Sequence, residues 1–308
     1  MDLRKLAFFQ AVVSSGSFKR AAEQSNVSPP ALTKGIQSLE QELGVTLFDR
    51  RRGEPRLTSA GTALLGRARR ILDEADEIQA DMQRERGLET GEIRIGCGPI
   101  VLHSIVGRAL AKFSIQHPGI RVKVVSGNWE NLTHQLQDYS LDLVAADIGD
   151  AGKREEFHVT ELVTEPLVWV AATSHPLATR RQIPFKDLEP FPVAIPTAPR
   201  HMIKHLQQLP GLSIQSRLAQ PNIQCDSYTA LIGAVRRSRC LTALPASLAR
   251  YLVDRDELCA LDIRDWALNS HAGIITLAKR APSVAREAME KAIIDVSSDI
   301  SQENRQLV

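Results

Sequence analysis

The chain has 308 residues, 43% of them hydrophobic and 5% aromatic, and a formal net charge of +2. It is too long for one domain of about 150 residues and apolar enough to fill real cores, so two or three domains are expected. The charge is uneven: residues 1–70 hold 12 Lys/Arg against 6 Asp/Glu and the remainder holds 26 against 30, which leaves only the head suited to a polyanion. Cys97, Cys225, Cys240 and Cys259 show no C-x-x-C spacing, which argues against a zinc site or a disulfide framework. No charged-then-apolar leader opens the sequence, and no apolar run approaches the ~18 residues of a membrane span. The expected setting is soluble, reducing and cytoplasmic, without a membrane partner.

In chain order, Leu3, Leu6, Ala7, Phe9, Gln10 and Val13 open a first helix that Ser15 and Gly16 close. Ser17 caps a second helix over 18–24, where Ala21 and Ala22 admit a close crossing, and Asn26-Val27 turns the chain into a third. That third helix begins at Ser28, a good N-cap, with prolines where a helix start has no hydrogen bond to lose. Leu32, Ile36, Leu39 and Leu43 recur at steps of four, three and four, a stripe to be buried. The opposite face carries Pro30, Thr33, Lys34, Gln37, Ser38 and Gln41, with no acid before Glu40. Such a face suits base edges in a major groove, although a solvated amphipathic helix taken alone reads the same way. Gly35 sits mid-helix at a cost of about 1 kcal/mol against alanine, which points to a close approach there. Two short helices and a tight turn make a helix-turn-helix. The stretch 47–58 then places Gly53, Pro55 and four arginines, Arg50, Arg51, Arg52 and Arg56, at the tip of a hairpin wing fit to grip phosphates or enter a minor groove.

Ser17-Phe18, Ala21-Ala22, Val27-Ser28, Pro30-Ala31-Leu32, Ile36, Leu39-Glu40, Leu43-Gly44, Leu47-Phe48, Arg50, Leu57-Thr58 and Ala60-Gly61 together resemble the N-terminal domain of LysR-type transcriptional regulators. The resemblance continues more weakly to about residue 300. Two positions depart from the family pattern: Ser25, where a leucine is common, and Pro29, where a polar residue able to touch a base or phosphate is usual. On this resemblance the DNA-binding set is Ser28, Pro30, Thr33, Lys34, Gln37, Arg50, Arg51, Arg52 and Arg56.

From Thr58 a long helix is expected to about residue 86, with Leu64, Ala68, Ile71, Ala75, Ile78 and Met82 alternating at steps of four and three as a coiled-coil seam. Self-association is its natural reading, packing back onto its own domain the alternative. The resemblance implies a dimer built on this helix, pairing into tetramers, and RNA polymerase as a further partner.

Beyond the break at 87–91, strands are expected over 92–96, 121–125, 143–148, 168–173, 192–195 and 273–278, with helices over 99–116, 129–137 and 282–298. The alternation predicts a parallel sheet with right-handed crossovers. The resemblance implies an α/β class with a winged helix-turn-helix (1–61), a linker helix (58–87) and two α/β subdomains like a periplasmic-binding-protein fold, 91–164 with 268–302 and 165–267, hinged near Thr164 and Trp266.

Gly96-Cys97-Gly98-Pro99 follows a strand but lacks the third glycine of a dinucleotide loop, which leaves a helix start at a sheet edge as a place for an anion. Carried over from the family, the effector pocket falls on Ile100, Val101, Ser126, Asn128, Asp147, Thr197 and His201. An acid at Asp147 favours a hydroxyl, amine or cation on the effector. His201 and His205 stand four apart without a third ligand, so no metal is assigned. No catalytic constellation and no cofactor is expected. The function the residues imply is a DNA-binding transcriptional regulator controlled by a small molecule, with double-stranded DNA and that effector as partners. A redox-sensing regulator acting through Cys225 and Cys240, or a solute-binding protein, is the alternative.

Overall fold

The computed structural model describes residues 2–49, 55–84, 91–149, 151–197, 221–264, 266 and 268–305. Arg50, Arg51, Arg52, His201 and the side chain of Met82 lie outside the described residues. The chain divides into a head, Met1–Thr90 with Gln137–Ser140, and a body, Gly91–Leu136 with Leu141–Val308.

In the head, α1 (Leu3–Ser15) starts where the Asp2 side chain accepts from the Arg4 amide at 3.0 Å, and it ends on Gly16. Ser17 caps α2 (Phe18–Gln24) and Ser28 caps α3 (Pro29–Leu43). Between them Asn26 takes a left-handed conformation, φ 53°, which asparagine tolerates better than most residues. Leu32, Ile36 and Leu39 are fully buried against α1 and α2, as their spacing requires. Leu43 departs from the expected stripe and is 38% exposed, because it is the last helical residue before the Gly44 cap and extends past the core. Gly35 does mark a close approach: a Cβ there would stand 2.7 Å from Cδ2 of Phe8 on α1.

The wing is an antiparallel pair, β1 (Phe48–Asp49) and β2 (Arg56–Leu57), with Phe48 opposite Leu57. Phe48 anchors it, its ring centroid 5.3 Å from Phe9 and 5.5 Å from Phe18. Thr58 ends the wing and caps α4 (Ser59–Arg84), its hydroxyl donating to the Thr46 carbonyl at 2.7 Å and accepting from the Gly61 amide at 3.0 Å. Along α4 the seam is shared out. Ala68 is fully buried and Leu64 and Ile71 pack on the head's own core, whereas Ala75 is half-buried and Ile78 is 58% exposed. The first half of the apolar spacing therefore serves the head itself.

The body begins with β3 (Gly91–Cys97), followed by a helical run that is α-helical at α5 (Pro99–Val101) and α6 (Gly107–Gln116), with a π turn, Leu102–Val106, between them. Then come β4 (Ile120–Ser126), α7 (Trp129–Gln137) and β5 (Leu143–Asp147). The next strand, β6 (Phe157–Ala171), is long, and β13 (Asn269–Leu277) returns late in the chain beside it. Sheet order in this first half is β4-β3-β5-β13-β6. Strands β3, β4 and β5 are parallel but β13 is antiparallel to both neighbours, so the sheet is mixed rather than parallel throughout. The cause is connectivity, since the chain re-enters this half from the second one and joins β13 against the direction of its neighbours. The closing helix α10 (Val284–Arg305) buries Met289, Ile293, Val296 and Ile300 against the sheet.

Strand β6 is expected from the sequence only over 168–173, whereas it spans Phe157–Ala171. It runs on because Pro166 falls where the strand changes partners, from β13 (Asn269 opposite Pro166) to β10 (Thr242–Pro245, with Pro245 opposite Leu167). A residue without an N–H is tolerated at such an irregular point of the ladder. Beyond it Trp169 and Val170 point to opposite faces, one into the cluster of Leu177, Ile183 and Leu241, the other into that of Leu231, Leu244 and Leu248. The second half adds the short strands β7 (Ile183–Pro184), β8 (Ala194–Ile195), β9 (Ile223–Gln224), β11 (Cys259–Ala260) and β12 (Ile263–Arg264). It also holds two helices not anticipated, α8 (Tyr228–Arg236) and α9 (Ala246–Val253). The halves are joined by β6 and by the segment before β13, where the Leu167 amide donates to the Leu268 carbonyl at 2.8 Å and the Trp266 indole N–H donates to the Leu167 carbonyl at 2.6 Å.

Gly35→Ala is expected to lower head stability by about 1 kcal/mol, since overpacking of about 1–3 kcal/mol outweighs about 1 kcal/mol of helix propensity. Gly66→Ala on α4, where a Cβ meets nothing within 4 Å, should raise stability by up to about 1 kcal/mol. Urea unfolding of both variants checks this, and equal stabilisation by the two would refute the Phe8 contact.

Candidate DNA interface and effector crevice

The outward face of α3 is assembled by what its other residues do. Ser28, Pro30, Lys34 and Gln37 are exposed and Thr33 is half-buried. Ser38 turns away, accepting from Lys5 Nζ at 2.9 Å, and Lys5 also pairs with Glu42. The hydrogen bond from Lys5 holds the Glu42 carboxyl below its ordinary range. Glu40 is likewise occupied: its Oε1 accepts from the amides of Leu47 at 2.8 Å and Phe48 at 3.3 Å, the two residues that lead into the wing. Both acids of the helix thus face partners on other elements, and the first turns present hydroxyl, amide and ammonium groups to solvent. Arg56, on the return strand of the wing, is exposed.

In the body, β3 and β4 end level with one another and β5 runs on past them to Asp147. Cys97 lies opposite both Ser126 and Ala145, the Gly98 amide donates to the Ala145 carbonyl at 2.9 Å, and the Gly127 amide donates to the Cys97 carbonyl at 3.1 Å. This gathers Ile100, Ser126, Asn128 and Asp147 along one carboxyl edge, the place where open α/β sheets receive ligands. Ser126 is exposed. Asn128 spends its side-chain oxygen on the Asn131 amide at 2.9 Å, and Asp147 accepts from the Gly149 amide at 3.0 Å. Val101 departs from expectation: its side chain is buried in the core of the first half, because the third residue of this helix turns toward the sheet it is docked on. Ile100 packs toward the second half, against the cluster around Leu231 and Leu244.

Thr197 follows β8 in the second half. Its amide donates to Asp226 Oδ1 at 2.7 Å, its hydroxyl donates to Asp226 Oδ2 at 3.1 Å, and it accepts from Gln224 Nε2 at 2.8 Å. Asp226 and Gln224 escaped the sequence reading because nothing in their spacing ties them to residue 197; only the parallel pairing of β8 with β9 does. Glu165 was missed for the same kind of reason. It is buried at the changeover in β6 and accepts from the Ser247 amide at 3.1 Å and the Ser247 hydroxyl at 2.9 Å, at the first turn of α9.

All four cysteines are free thiols. Burial pushes Cys97 up to about 12 and raises Cys259, which makes both poor nucleophiles. Cys240 is buried, and Cys225 is half-buried with its thiol on the Ser227 carbonyl at 3.6 Å. Among the described residues no cluster could hold a metal ion, and no helix is long and apolar enough to cross a membrane.

A capped helix-turn-helix with an acid-free outer face, followed in the chain by an α/β body whose parallel strands gather polar loops at their carboxyl ends, defines a DNA-binding regulator with a ligand-binding domain. Residues 3–62 match the bacterial regulatory helix-turn-helix protein, lysR family, and residues 86–296 match the LysR substrate binding domain. The chain therefore belongs to the LysR family of transcriptional regulators, which are not enzymes. It is 34% identical over 299 residues to the SDS degradation transcriptional activation protein of a Pseudomonas species, with 96% of each chain covered. Among solved structures it is similar to a full-length OxyR variant from Pseudomonas aeruginosa, with TM-score 0.67, 18% identity, and 96% of this chain and 94% of that one covered. It is also similar to full-length CbnR in complex with its target DNA, with TM-score 0.64, 20% identity, and 96% of this chain and 100% of that one covered. At such identities the structural likeness speaks for the fold.

Gln37→Ala should weaken binding to a selected operator by about 1–3 kcal/mol and binding to scrambled duplex far less, as expected for a base contact. Arg56→Ala should weaken both alike and flatten the slope of log affinity against log salt by about 0.9 for each phosphate it ceases to neutralise. Fluorescence anisotropy over several salt concentrations separates the two behaviours; equal losses on both duplexes for Gln37→Ala would refute its role as a reader.

Proposed function

We propose that this regulator reads its operator with Thr33, Lys34 and Gln37 while Ser28, Pro30, Arg50, Arg51, Arg52 and Arg56 hold the backbone, and that a small molecule between the halves of the body controls it. The observation that carries the reading is the face of α3, on which Lys34 and Gln37 are exposed while Glu40 and Glu42 are engaged elsewhere. Base edges need donors and acceptors that are not already spent, and phosphates reject nearby carboxylates. Ile100, Ser126, Asn128, Asp147, Thr197 and His201 are the proposed effector contacts, with Val101 contributing through its backbone alone. Asp147 on one lip favours a ligand that brings a donor. Action in the cytoplasm, where a bacterial operator lies, and contact with RNA polymerase complete the reading.

Dimerisation belongs to the distal half of α4, where the exposed Ile78 supports it. Ile78→Glu adds a charge at a position already open to solvent, so it should leave the head folded while splitting the dimer, because a buried unpaired carboxylate costs several kcal/mol. Ile71→Glu would damage the head's own core instead. Sedimentation velocity with circular dichroism checks both, and an unchanged mass for folded Ile78→Glu would remove the seam from the interface. Control by an effector is tested by thermal-shift screening of metabolites followed by Asp147→Ala. The variant should lose the ligand's effect on DNA binding and keep ligand-free DNA binding, and equal loss of both would refute the assignment.

A further inference from the structure

The two halves of the body touch at a place that the reading above does not use. The helical run that lines the crevice is interrupted by the π turn Leu102–Val106. A π turn holds one residue more than an α turn, re-aims the side chains around it and recurs at functional sites. This one carries His103, whose ring lies on that of Tyr228, the first residue of α8 in the other half, with centroids 3.8 Å apart and planes at 28°. Three residues earlier Ile100 sits against the core of that same half, and Tyr228 borders the same cluster. One helical run of the first half is therefore held by the second.

Two opposed effects meet at Tyr228. The ring stack and the seating of Ile100 favour contact between the halves. The Tyr228 hydroxyl opposes it, being buried without a hydrogen-bond partner among the described residues. Burial also pushes its pKa up to about 12. A hydroxyl in that position is better solvated when the contact opens. We propose that His103 and Tyr228 form a clasp across the crevice that opens and closes, with the stacked rings holding it shut and the stranded hydroxyl drawing it open. The clasp rests on the reading of the crevice as an effector site: a ligand at residues 99–101 touches the helical run that positions His103 and selects one state by its differential affinity for the two. Its narrow margin suits that task, because a ligand then needs little selectivity to shift the population.

Hydrogen exchange on the full chain without ligand tests the clasp, since amide protection reads the free energy of local opening. In His103→Ala, made at an exposed position, the stack is lost and the stranded hydroxyl stays, so the amides of 100–106 should exchange roughly two- to tenfold faster, the range of one aromatic pair, while those of α10 stay unchanged. Tyr228→Phe should act in the opposite direction: it keeps the ring and removes the stranded hydroxyl, so exchange over 100–106 should slow about fivefold or more. The clasp is overturned if Tyr228→Phe speeds exchange over 100–106, or if His103→Ala leaves those amides unchanged. Because these measurements need no ligand, failure of the clasp and failure of the effector reading are separate results.

Discussion

Strand β6 is one continuous piece of backbone that belongs to two sheets, and the rest of the body is arranged around that constraint. Its first part pairs with β13 and its last part with β10, so neither half can slide along the strand without breaking a ladder. The remaining freedom is bending and twisting where Pro166 interrupts the pairing. That point is braced on two sides. Trp266 donates to the Leu167 carbonyl, and the Glu165 carboxylate, buried among apolar neighbours, is held by the amide and hydroxyl of Ser247 at the start of α9. An anion there is also favoured by the positive end of the helix dipole. The backbone at the changeover is thus held from both sides.

Asp147 and the Thr197–Asp226 pair lie on opposite halves of the body, which share this strand. The Thr197 network is built in advance: both donors of that residue are committed to Asp226, and Gln224 fills one of the hydroxyl's two acceptor positions. Side chains committed in this way have little freedom left to lose.

The caps were legible because they are local chemistry. Ser17, Ser28 and Thr58 each precede a helix and each accepts a hydrogen bond from an amide in its first turn. The buried stripe of α3 was legible for the same reason, and so was Gly35, whose cost in a helix made sense only as room for a neighbour. What periodicity could not tell was which partner an apolar face meets. Leu64, Ala68 and Ile71 have the spacing of an intermolecular seam yet serve the head's own core, because spacing sets a direction and not the identity of what lies there. Strand β6 was hidden by Pro166 and Glu165, whose meaning as a changeover point depends on strands some 80 to 100 residues further along the chain. Thr197 and Asp226 are joined by the same kind of long-range pairing. Val101 shows the limit of transferring a pocket by position, since one residue along a helix turns the side chain from the second half, where Ile100 packs, to the core of the first.

The Glu40 carboxylate, which bridges the recognition helix to the two residues entering the wing, sets the geometry of the head as a measuring device. One oxygen receives two consecutive backbone amides, Gly61 lets the next helix close against the Leu47 carbonyl, and Phe48 wedges the strand into the core. The exposed face of α3 and strand β2 are fixed to one another like the jaws of a caliper with no screw. On the proposed reading of that face, a duplex whose grooves do not match the gap has to deform to be held, and the energy of deforming it depends on base steps that no side chain touches. The jaw spacing of the head would then itself be a source of sequence preference.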